Sequence, residues 1–162
     1  WIATVTGQGP RYTWFAASFA SATRGWLAGS FGLVLYTADG GLTWTPIDIT
    51  EFVPSAPFDL TIYDIQVVGE DQLWAVGDGS SVFYSPDGGA SWQQQLTYTL
   101  PSPLRAVHFH DALSGWIVGD LGDTVLATSD GGRSWRSQRL PATLPADQVL
   151  RDVTFIDAAR GW

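Results

Sequence analysis

Apolar residues recur along this chain with the two-residue period of β-strands. Four tryptophans, called the anchor tryptophans below, are each preceded by apolar residues nine and seven positions earlier. The anchor tryptophans are Trp26, Trp74, Trp116 and Trp162, and their apolar pairs are Ala17 and Phe19, Ile65 and Val67, Val107 and Phe109, and Val153 and Phe155. A two-residue step places both members of a pair on one face of a strand. The pattern therefore predicts a strand before each anchor tryptophan.

Each repeat predicts four short strands, and the third repeat shows them most clearly. Its predicted strands are Leu104–Phe109, Gly115–Gly119, Thr124–Thr128 and a fourth that begins at Trp135. Apolar residues occupy both faces of several predicted strands, as in residues 33–36 and 82–84. Such runs are typical of sheets that are covered on both sides.

An acidic hairpin motif, Ser/Thr-x-Asp-Gly-Gly-x-Ser/Thr-Trp, occurs at residues 37–44, 85–92 and 128–135. Asp-Gly between strand-like runs favours a tight hairpin, in which Gly supplies a positive φ and Asp accepts N–H groups of the turn. A catalytic group is needed once, whereas this motif recurs, so we expect a structural role. The predicted structural residues are Asp39, Gly40, Gly41, Trp44, Asp87, Gly88, Gly89, Trp92, Asp130, Gly131, Gly132 and Trp135.

The repeat length predicts the architecture. The motif aspartates are 48 and 43 residues apart, a period that is typical of propellers and solenoids. We expect an all-β fold, a β-propeller built of four-stranded antiparallel blades, with about three repeat units plus fragments in this chain. The predicted units are residues 1–43, 44–91, 92–134 and a partial unit 135–162, all in one domain. Closed propellers have about 4–8 blades, so the remaining blades are expected from the same longer chain, with Trp1 as the motif tryptophan of a preceding blade.

The net charge, the lack of Cys and the lack of a long apolar run limit which ligands and partners are expected. The formal net charge is −8, which opposes binding to nucleic acid, because that affinity comes mostly from cationic contacts with phosphate. The absence of Cys excludes disulfides and Cys-ligated metals. No apolar run is long enough to span a membrane, so no direct membrane insertion is expected of this segment.

The three hairpin motifs resemble the Asp-box, also called the bacterial neuraminidase repeat. The fuller pattern, with Phe109, Gly115-Trp116-Ile-Val-Gly119 and Asp130-Gly-Gly-Arg-Ser-Trp135 in order, resembles the photosystem II stability and assembly factor family. That resemblance implies a non-catalytic propeller that binds a protein partner, such as a subunit of a membrane complex, outside the cytoplasm. No cofactor is implied.

Polar residues at one repeated offset are candidate binding residues. Eight positions before the anchor tryptophans stand Ser18, Gln66, His108 and Thr154. Two interpretations are open: these side chains line the mouth of the central channel, or they form hydrogen bonds within the stack of blades. Eleven positions before two of the anchors stand Arg105 and Arg151, which either surround an anion-binding mouth or pair with an aspartate between blades.

Two alternative functions stay open from sequence. One is a glycoside hydrolase with an active site partly in further blades, which would need a pair of nearby carboxyls. The other is a structural subunit of a larger surface or membrane-associated complex. His108 and His110 would face the same way on a strand, but no third ligand is evident at a metal-binding spacing, so no metal site is expected.

Overall fold

The computed structural model describes residues 12–53, 56, 59–95, 102–120, 124–140 and 149–162. These residues contain three four-stranded antiparallel sheets and one two-stranded sheet. The strands are β1 (Trp14–Phe19), β2 (Gly25–Gly29), β3 (Leu33–Thr37) and β4 (Thr45–Asp48) in the first sheet; β5 (Ile62–Val68), β6 (Gln72–Gly77), β7 (Val82–Ser85) and β8 (Gln93–Gln95) in the second; β9 (Leu104–Phe109), β10 (Gly115–Gly119), β11 (Thr124–Thr128) and β12 (Arg136–Arg139) in the third; and β13 (Phe155–Asp157) and β14 (Arg160–Gly161).

Each four-stranded sheet is one blade, and its strands pair in sequence order. The predicted all-β class and blade architecture are confirmed, and the first three strands of the third blade have the predicted bounds. The fourth strand begins at Arg136 instead of Trp135, because the pairing with β11 ends at Arg136, which lies opposite Ala127. A short helix, α1 (Ile49–Phe52), was not predicted; it is capped by Asp48, whose carboxylate accepts the N–H of Thr50.

The first strands of adjacent blades pack against one another. Strand β1 contacts β5, and β5 contacts β9, whereas the fourth strands lie at the opposite edges of their sheets. In propellers, the inner strands of the blades surround the central channel. We therefore call β1, β5 and β9 the inner strands.

The hydrophobic core lies between blades, and the anchor tryptophans are its main components. Trp26 and Trp74 are both buried. The ring of Trp74 stacks on Phe109 of the next blade with a centroid distance of 4.8 Å, and Trp116 stacks on Phe155 at 3.6 Å. Each of these anchors thus covers the apolar residue that stands seven positions before the next anchor. Apolar area removed from water in this way is the main stabilising term between blades.

Within a blade, the residue before the anchor tryptophan pairs with an apolar residue of the inner strand, and the sizes of the two side chains complement each other. Gly115 pairs with Phe109, and a Cβ at Gly115 would lie 2.7 Å from the phenyl ring, so only glycine leaves room for this side chain. In the second blade the larger side chain is on the other strand: Leu73 stands at the position of Gly115, and the smaller Val67 stands at the position of Phe109. The two pairs fill the same layer in different ways, as close packing requires.

The first inner strand carries large exposed apolar side chains. Phe15 and Phe19 are about half exposed.

Within the described residues, no helix is long and apolar enough to cross a membrane. The predicted role of Trp1 falls outside the residues that the structure describes.

Candidate functional site

Each inner strand contains one residue that does not pair with the second strand. The register shifts between Trp14 and Ala16 in β1, and the same irregularity recurs in β5 and β9. The unpaired residues stand eleven positions before the anchor tryptophans: Phe15, Tyr63 and Arg105. A bulge of this kind redirects a side chain away from the regular pleat.

These three residues form a continuous row, called the inner row below. The ring of Phe15 contacts the ring of Tyr63 edge to face, with a centroid distance of 5.5 Å. The guanidinium carbon of Arg105 lies 4.3 Å from the centre of the Tyr63 ring, a cation–π geometry. Each of the three blades supplies one residue, so the inner row crosses all three blades near the start of their inner strands.

The inner row is held by residues that follow the anchor tryptophans by four positions. Asp78 accepts the N–H of Thr61 at 3.0 Å and the hydroxyl of Tyr63 at 2.9 Å. In the third blade the corresponding residue, Asp120, accepts two bonds from Arg105, at 3.1 and 2.8 Å. Pro103 replaces Thr61 there and has no N–H to donate, so both oxygens of Asp120 are available for the guanidinium.

The charges of the inner row are balanced locally. The hydrogen bond from Arg105 lowers the pKa of Asp120, against a smaller opposing effect of burial. Burial raises the pKa of Tyr63, and the hydrogen bond to Asp78 acts in the same direction. Arg151 is exposed, and its positive charge also lowers the pKa of Asp120. The sequence left two interpretations open for Arg105, an anion-binding mouth or a pair with an aspartate between blades; the structure pairs it with Asp120 of its own blade.

The polar residues eight positions before the anchors contact the next blade. The hydroxyl oxygen of Ser18 accepts the N–H of Val67 at 2.9 Å. Gln66 donates to the carbonyl of Phe109 at 3.0 Å and accepts the N–H of the same residue. The Nε2 atom of His108 lies 3.0 Å from the carbonyl oxygen of Phe155. Contacts of this kind belong to the second interpretation given above, in which these side chains form hydrogen bonds within the stack of blades. Thr154 is exposed, and its backbone pairs with Trp162.

Asp64 is a further residue between blades. Its two carboxylate oxygens accept the N–H of Ile65 in its own strand and the N–H of Val107 in the next blade, each at 2.8 Å. Burial is the main cause that raises the pKa of Asp64 to about 6, and the negative charge of Asp152 adds to the rise. The two amide bonds act in the opposite direction but are outweighed.

The predicted hairpin aspartates bond within their own turns, as the third hairpin illustrates. Asp130 accepts the hydroxyl of Thr128 at 2.8 Å and the N–H and hydroxyl of Ser134 at 2.9 and 2.6 Å. The hydroxyl oxygen of Thr128 also accepts the N–H of Gly132 at 3.0 Å. Gly131 has a positive φ of 69° and donates its N–H to Leu113 in the β9–β10 loop. The motif thus connects the two hairpins at one end of the blade.

These local bonds set the ionisation of the motif carboxylates. Hydrogen bonds from Thr43 are the main cause that lowers the pKa of Asp39 to about 2, and bonds from Ser134 lower that of Asp130 to about 2. The pKa of Asp87 is lowered by Ser91 in the same way. The same arrangement recurs in three hairpins, one per blade.

The motif tryptophans differ among the blades. The indole N–H of Trp44 donates to the carbonyl of Gly41 at 3.1 Å. The corresponding atoms of Trp92 and Trp135 are buried, and the described part of the chain offers them no hydrogen-bond partner. Instead, the ring of Trp135 packs edge to face against Phe109 at 5.9 Å.

Metal binding gains no support from the two histidines. His108 is bonded to a carbonyl between blades, and His110 lies in the β9–β10 loop. Among the residues that the structure describes, no group of three or more His, Cys, Asp or Glu side chains could hold a metal ion.

Sequence reasoning missed Asp64, Asp78 and Asp120, although a signal for two of them was present. Ser30, Asp78 and Asp120 all stand four positions after an anchor tryptophan and all accept hydrogen bonds from the start of their own inner strand. That recurrence of a polar acceptor is visible in the sequence. The signal for Asp64 is weaker, because Asp152 is also acidic at this offset but the other two counterparts, Ala16 and Ala106, are apolar.

Comparison with known proteins agrees with the blade architecture. The family described as photosynthesis system II assembly factor YCF48 matches residues 58–123. A solved structure of YCF48 bound to D1 peptide aligns with a TM-score of 0.68 and 28% identity over 78% of this chain and 40% of that one. The chain is an Asp-box propeller segment that resembles these assembly factors. YCF48 from Cyanidioschyzon merolae aligns with a TM-score of 0.69 and 28% identity, covering 82% of this chain and 42% of that one.

The predicted resemblance is therefore confirmed, and the chain spans about two fifths of the length of the YCF48 structures that it matches. A structure of the Niastella koreensis GH74 enzyme aligns with a TM-score of 0.55 but only 17% identity, over 82% of this chain and 18% of that one. At that identity the likeness shows a shared fold alone. No curated protein matches the sequence significantly.

Proposed function

We propose that this chain is part of a non-catalytic propeller scaffold, resembling a photosystem II assembly factor, that binds a peptide segment of a protein partner. The observation that carries the proposal is the inner row, in which Phe15, Tyr63 and Arg105 follow one another across three blades. Aromatic and arginine side chains are the residue types that dominate binding energy in protein interfaces. The solved YCF48 complex with D1 peptide supports a peptide as the ligand.

The proposed binding surface comprises the inner row and Arg151. The exposed ring of Phe15 and the partly exposed ring of Tyr63 offer apolar area, while Arg151 offers an exposed positive charge. Ser18, Gln66 and His108 contribute less to this surface, because their polar atoms are used between blades. We infer that they position the inner strands on which the surface is built.

The glycoside hydrolase alternative has less support. Its general acid would need a raised pKa and an oxygen free to reach a glycosidic bond. Asp64 has the raised pKa, but both of its oxygens accept backbone N–H groups between blades. The motif aspartates have lowered pKa values and are bonded within their turns. These contacts favour structural roles for both sets of carboxyls.

The partner and the compartment belong to the same proposal. We expect the partner to be a subunit of a membrane complex, engaged outside the cytoplasm, with the remaining blades supplied by the same longer chain. The acidic net charge of −8 argues against nucleic acid as the partner. The division into units 1–43, 44–91, 92–134 and 135–162 stays a prediction.

Binding of the D1 peptide to the purified full-length protein tests the proposal, with isothermal titration calorimetry as the measurement. Tyr63→Ala and Arg105→Gln should each weaken binding, by about 1–3 kcal/mol if these residues are anchors. Arg136→Gln removes an exposed arginine from the outer strand β12 and is the matched control, which should bind like the unchanged protein. Equal binding by all variants would contradict a site at the inner row, and hydrolysis of a polysaccharide panel would contradict the non-catalytic function.

A further inference from the structure

A groove recurs between successive blades, and its chemistry differs from one pair of blades to the next. Each groove lies between the strands of one blade and the Asp-Gly-Gly hairpin of the following blade. The first groove, between the first and second blades, is lined by Arg24, Tyr36, Ile47 and residues 87–90. The second groove, between the second and third blades, is lined chiefly by Gln72, Trp74, Tyr84, Gln93, Gln95 and residues 130–133. The two are equivalent, because Tyr36 and Tyr84 each pair with the anchor tryptophan of their own blade.

The first groove is narrowed by contacts between its own side chains. Arg24 of the first blade forms a salt bridge with Asp71 of the second. Ile47 lies directly against the hairpin of the second blade, since a Cβ at Gly89 would be 2.9 Å from its Cδ1 atom. The charged and apolar side chains of this groove are therefore already engaged with the protein.

The second groove has different residues at the same positions. Gln72 and Leu113 stand where the first groove has its ion pair, and Gln95 stands where it has the isoleucine. The second groove has a volume of about 450 Å³, against about 350 Å³ for the first. Within the described part of the chain, the carboxamides of Gln72, Gln93 and Gln95 show no hydrogen bond. Three amide side chains thus face this groove with their donors and acceptors available.

The aromatic residues of the second groove add two further polar atoms. Trp26 donates its indole N–H to the carbonyl of Gly88 at 3.0 Å. The described residues show no such bond for the indole of Trp74, which is only 2% exposed, and none for the hydroxyl of Tyr84. Buried polar groups are normally hydrogen-bonded. An indole N–H that lines a cavity without a protein partner is therefore a donor for a ligand.

We propose that the second groove binds a neutral saccharide. A carboxamide both donates and accepts hydrogen bonds, as does each hydroxyl group of a sugar. The rings of Tyr84 and Trp74, whose centroids are 4.6 Å apart, supply apolar surface with a partial negative charge on the ring faces, which suits the C–H groups of a sugar ring. The volume lies within the range of small-molecule sites, about 300–1,000 Å³.

The remaining lining residues favour a compact, uncharged ligand. Arg133 and Asp130 have opposite charges and lie in the same hairpin, so neither sign of charge is selected. A peptide is usually bound along a strand edge or in an extended groove, whereas here polar groups from β6, β7 and β8 converge on one cavity. The groove does not include the inner row, so this inference is independent of the proposed peptide binding.

Saccharide titrations of the full-length protein test the proposal, followed by proton–nitrogen NMR correlation spectra. The probes are glucose, galactose, mannose, cellobiose and maltose. At least one should shift the indole N–H resonance of Trp74, while that of Trp26, which is bonded to Gly88, should stay unchanged. No shift of the Trp74 resonance with any probe up to about 50 mM, far above a millimolar dissociation constant, would overturn the proposal. A shift caused by the D1 peptide and by no saccharide would assign the groove to a peptide and would also overturn it.

Variants of the groove give a second test with the saccharide that shifts Trp74. Gln95→Ile copies Ile47 of the first groove and should weaken binding by about tenfold or more, because it removes an amide and fills space. Tyr84→Phe removes one hydroxyl and should weaken binding roughly two- to tenfold. Gln138→Ile is the matched control, since it makes the same substitution at the corresponding exposed position of the third blade, outside the groove. Binding that is unchanged in Gln95→Ile, or equally weakened in Gln138→Ile, would contradict the site. The NMR titration uses the unchanged protein, so it decides the proposal even if a variant fails to fold.

Discussion

Gln66 in the second blade donates to the carbonyl of Phe109 in the third and accepts the N–H of the same residue. The inner strand of a blade is a sheet edge, whose outward backbone groups have no partner within the sheet. The carboxamide of Gln66 supplies both a donor and an acceptor, so it replaces the missing strand at this point. Neighbouring blades are thereby joined by polar contacts as well as by apolar packing.

Replacement of Gln66 should destabilise the contact between the second and third blades. Gln66→Leu keeps a side chain of similar size but leaves both backbone groups of Phe109 without a partner, so the free energy of unfolding should fall by about 1–3 kcal/mol. Urea denaturation measures this change. Gln93→Leu, at an exposed position of β8, is the matched control and should change stability by less than about 0.5 kcal/mol; an equal loss in both variants would argue against the proposed importance of the bond.

Because the ring of Phe109 fills the space beside Gly115, substitutions at these two positions should be strongly coupled in their effects on stability. Gly115→Ala places a Cβ against the phenyl ring and should cost about 1–3 kcal/mol through overpacking. Combining Gly115→Leu with Phe109→Val copies the Leu73–Val67 pair of the second blade. A double-mutant cycle from thermal denaturation should give a favourable coupling of about 0.5–3 kcal/mol, whereas simple additivity would show that the two positions do not share one space.

The hairpin aspartates predict a loss of stability in acid. The pKa of Asp130 is about 2 in the folded protein and near about 3.9 when unfolded, so its contribution is present above about pH 4 and is lost as pH falls toward 2. In Asp130→Asn this part of the pH dependence should be absent, and the difference from the unchanged protein should shrink as pH falls. Urea midpoints between about pH 5 and 2 measure it. Glu70→Gln, in an exposed loop, is the control; an identical acid profile for Asp130→Asn would contradict the assignment.

Removal of the Tyr63 hydroxyl, which donates to Asp78, should lower the stability of the protein by a smaller amount than the core substitutions above. Tyr63→Phe removes the bond to Asp78 but leaves the bond from Thr61 to the same carboxylate and the ring beneath Arg105. The free energy of unfolding should fall by about 0.5–1.5 kcal/mol, and binding of the D1 peptide should be retained. Tyr84→Phe on β7 is the control, since the described residues show no hydrogen bond of its hydroxyl; a loss of binding in Tyr63→Phe would show that the hydroxyl itself contacts the ligand.

Much of the blade architecture could be predicted because its causes are local. The two-residue apolar period and the turn chemistry of Asp130-Gly131 depend on neighbours in the sequence, and the third blade accordingly has its predicted first three strands. The start of the fourth strand was displaced by one residue, because the pairing with β11 extends only to Arg136 and leaves Trp135 outside the sheet. Helix α1 escaped prediction since its four residues in a connector show no helical period.

The sequence by itself determined the repeat, the hairpins and the blade as a unit, since each follows from residues that lie close together along the chain. Only the tertiary structure decided the inner row and the contacts between blades. Tyr63 and Arg105 are 42 residues apart, and the register of neighbouring blades alone brings them together. The use of Asp64 likewise depends on which backbone N–H group of the next blade is left without a partner, and that is decided when the blades stack.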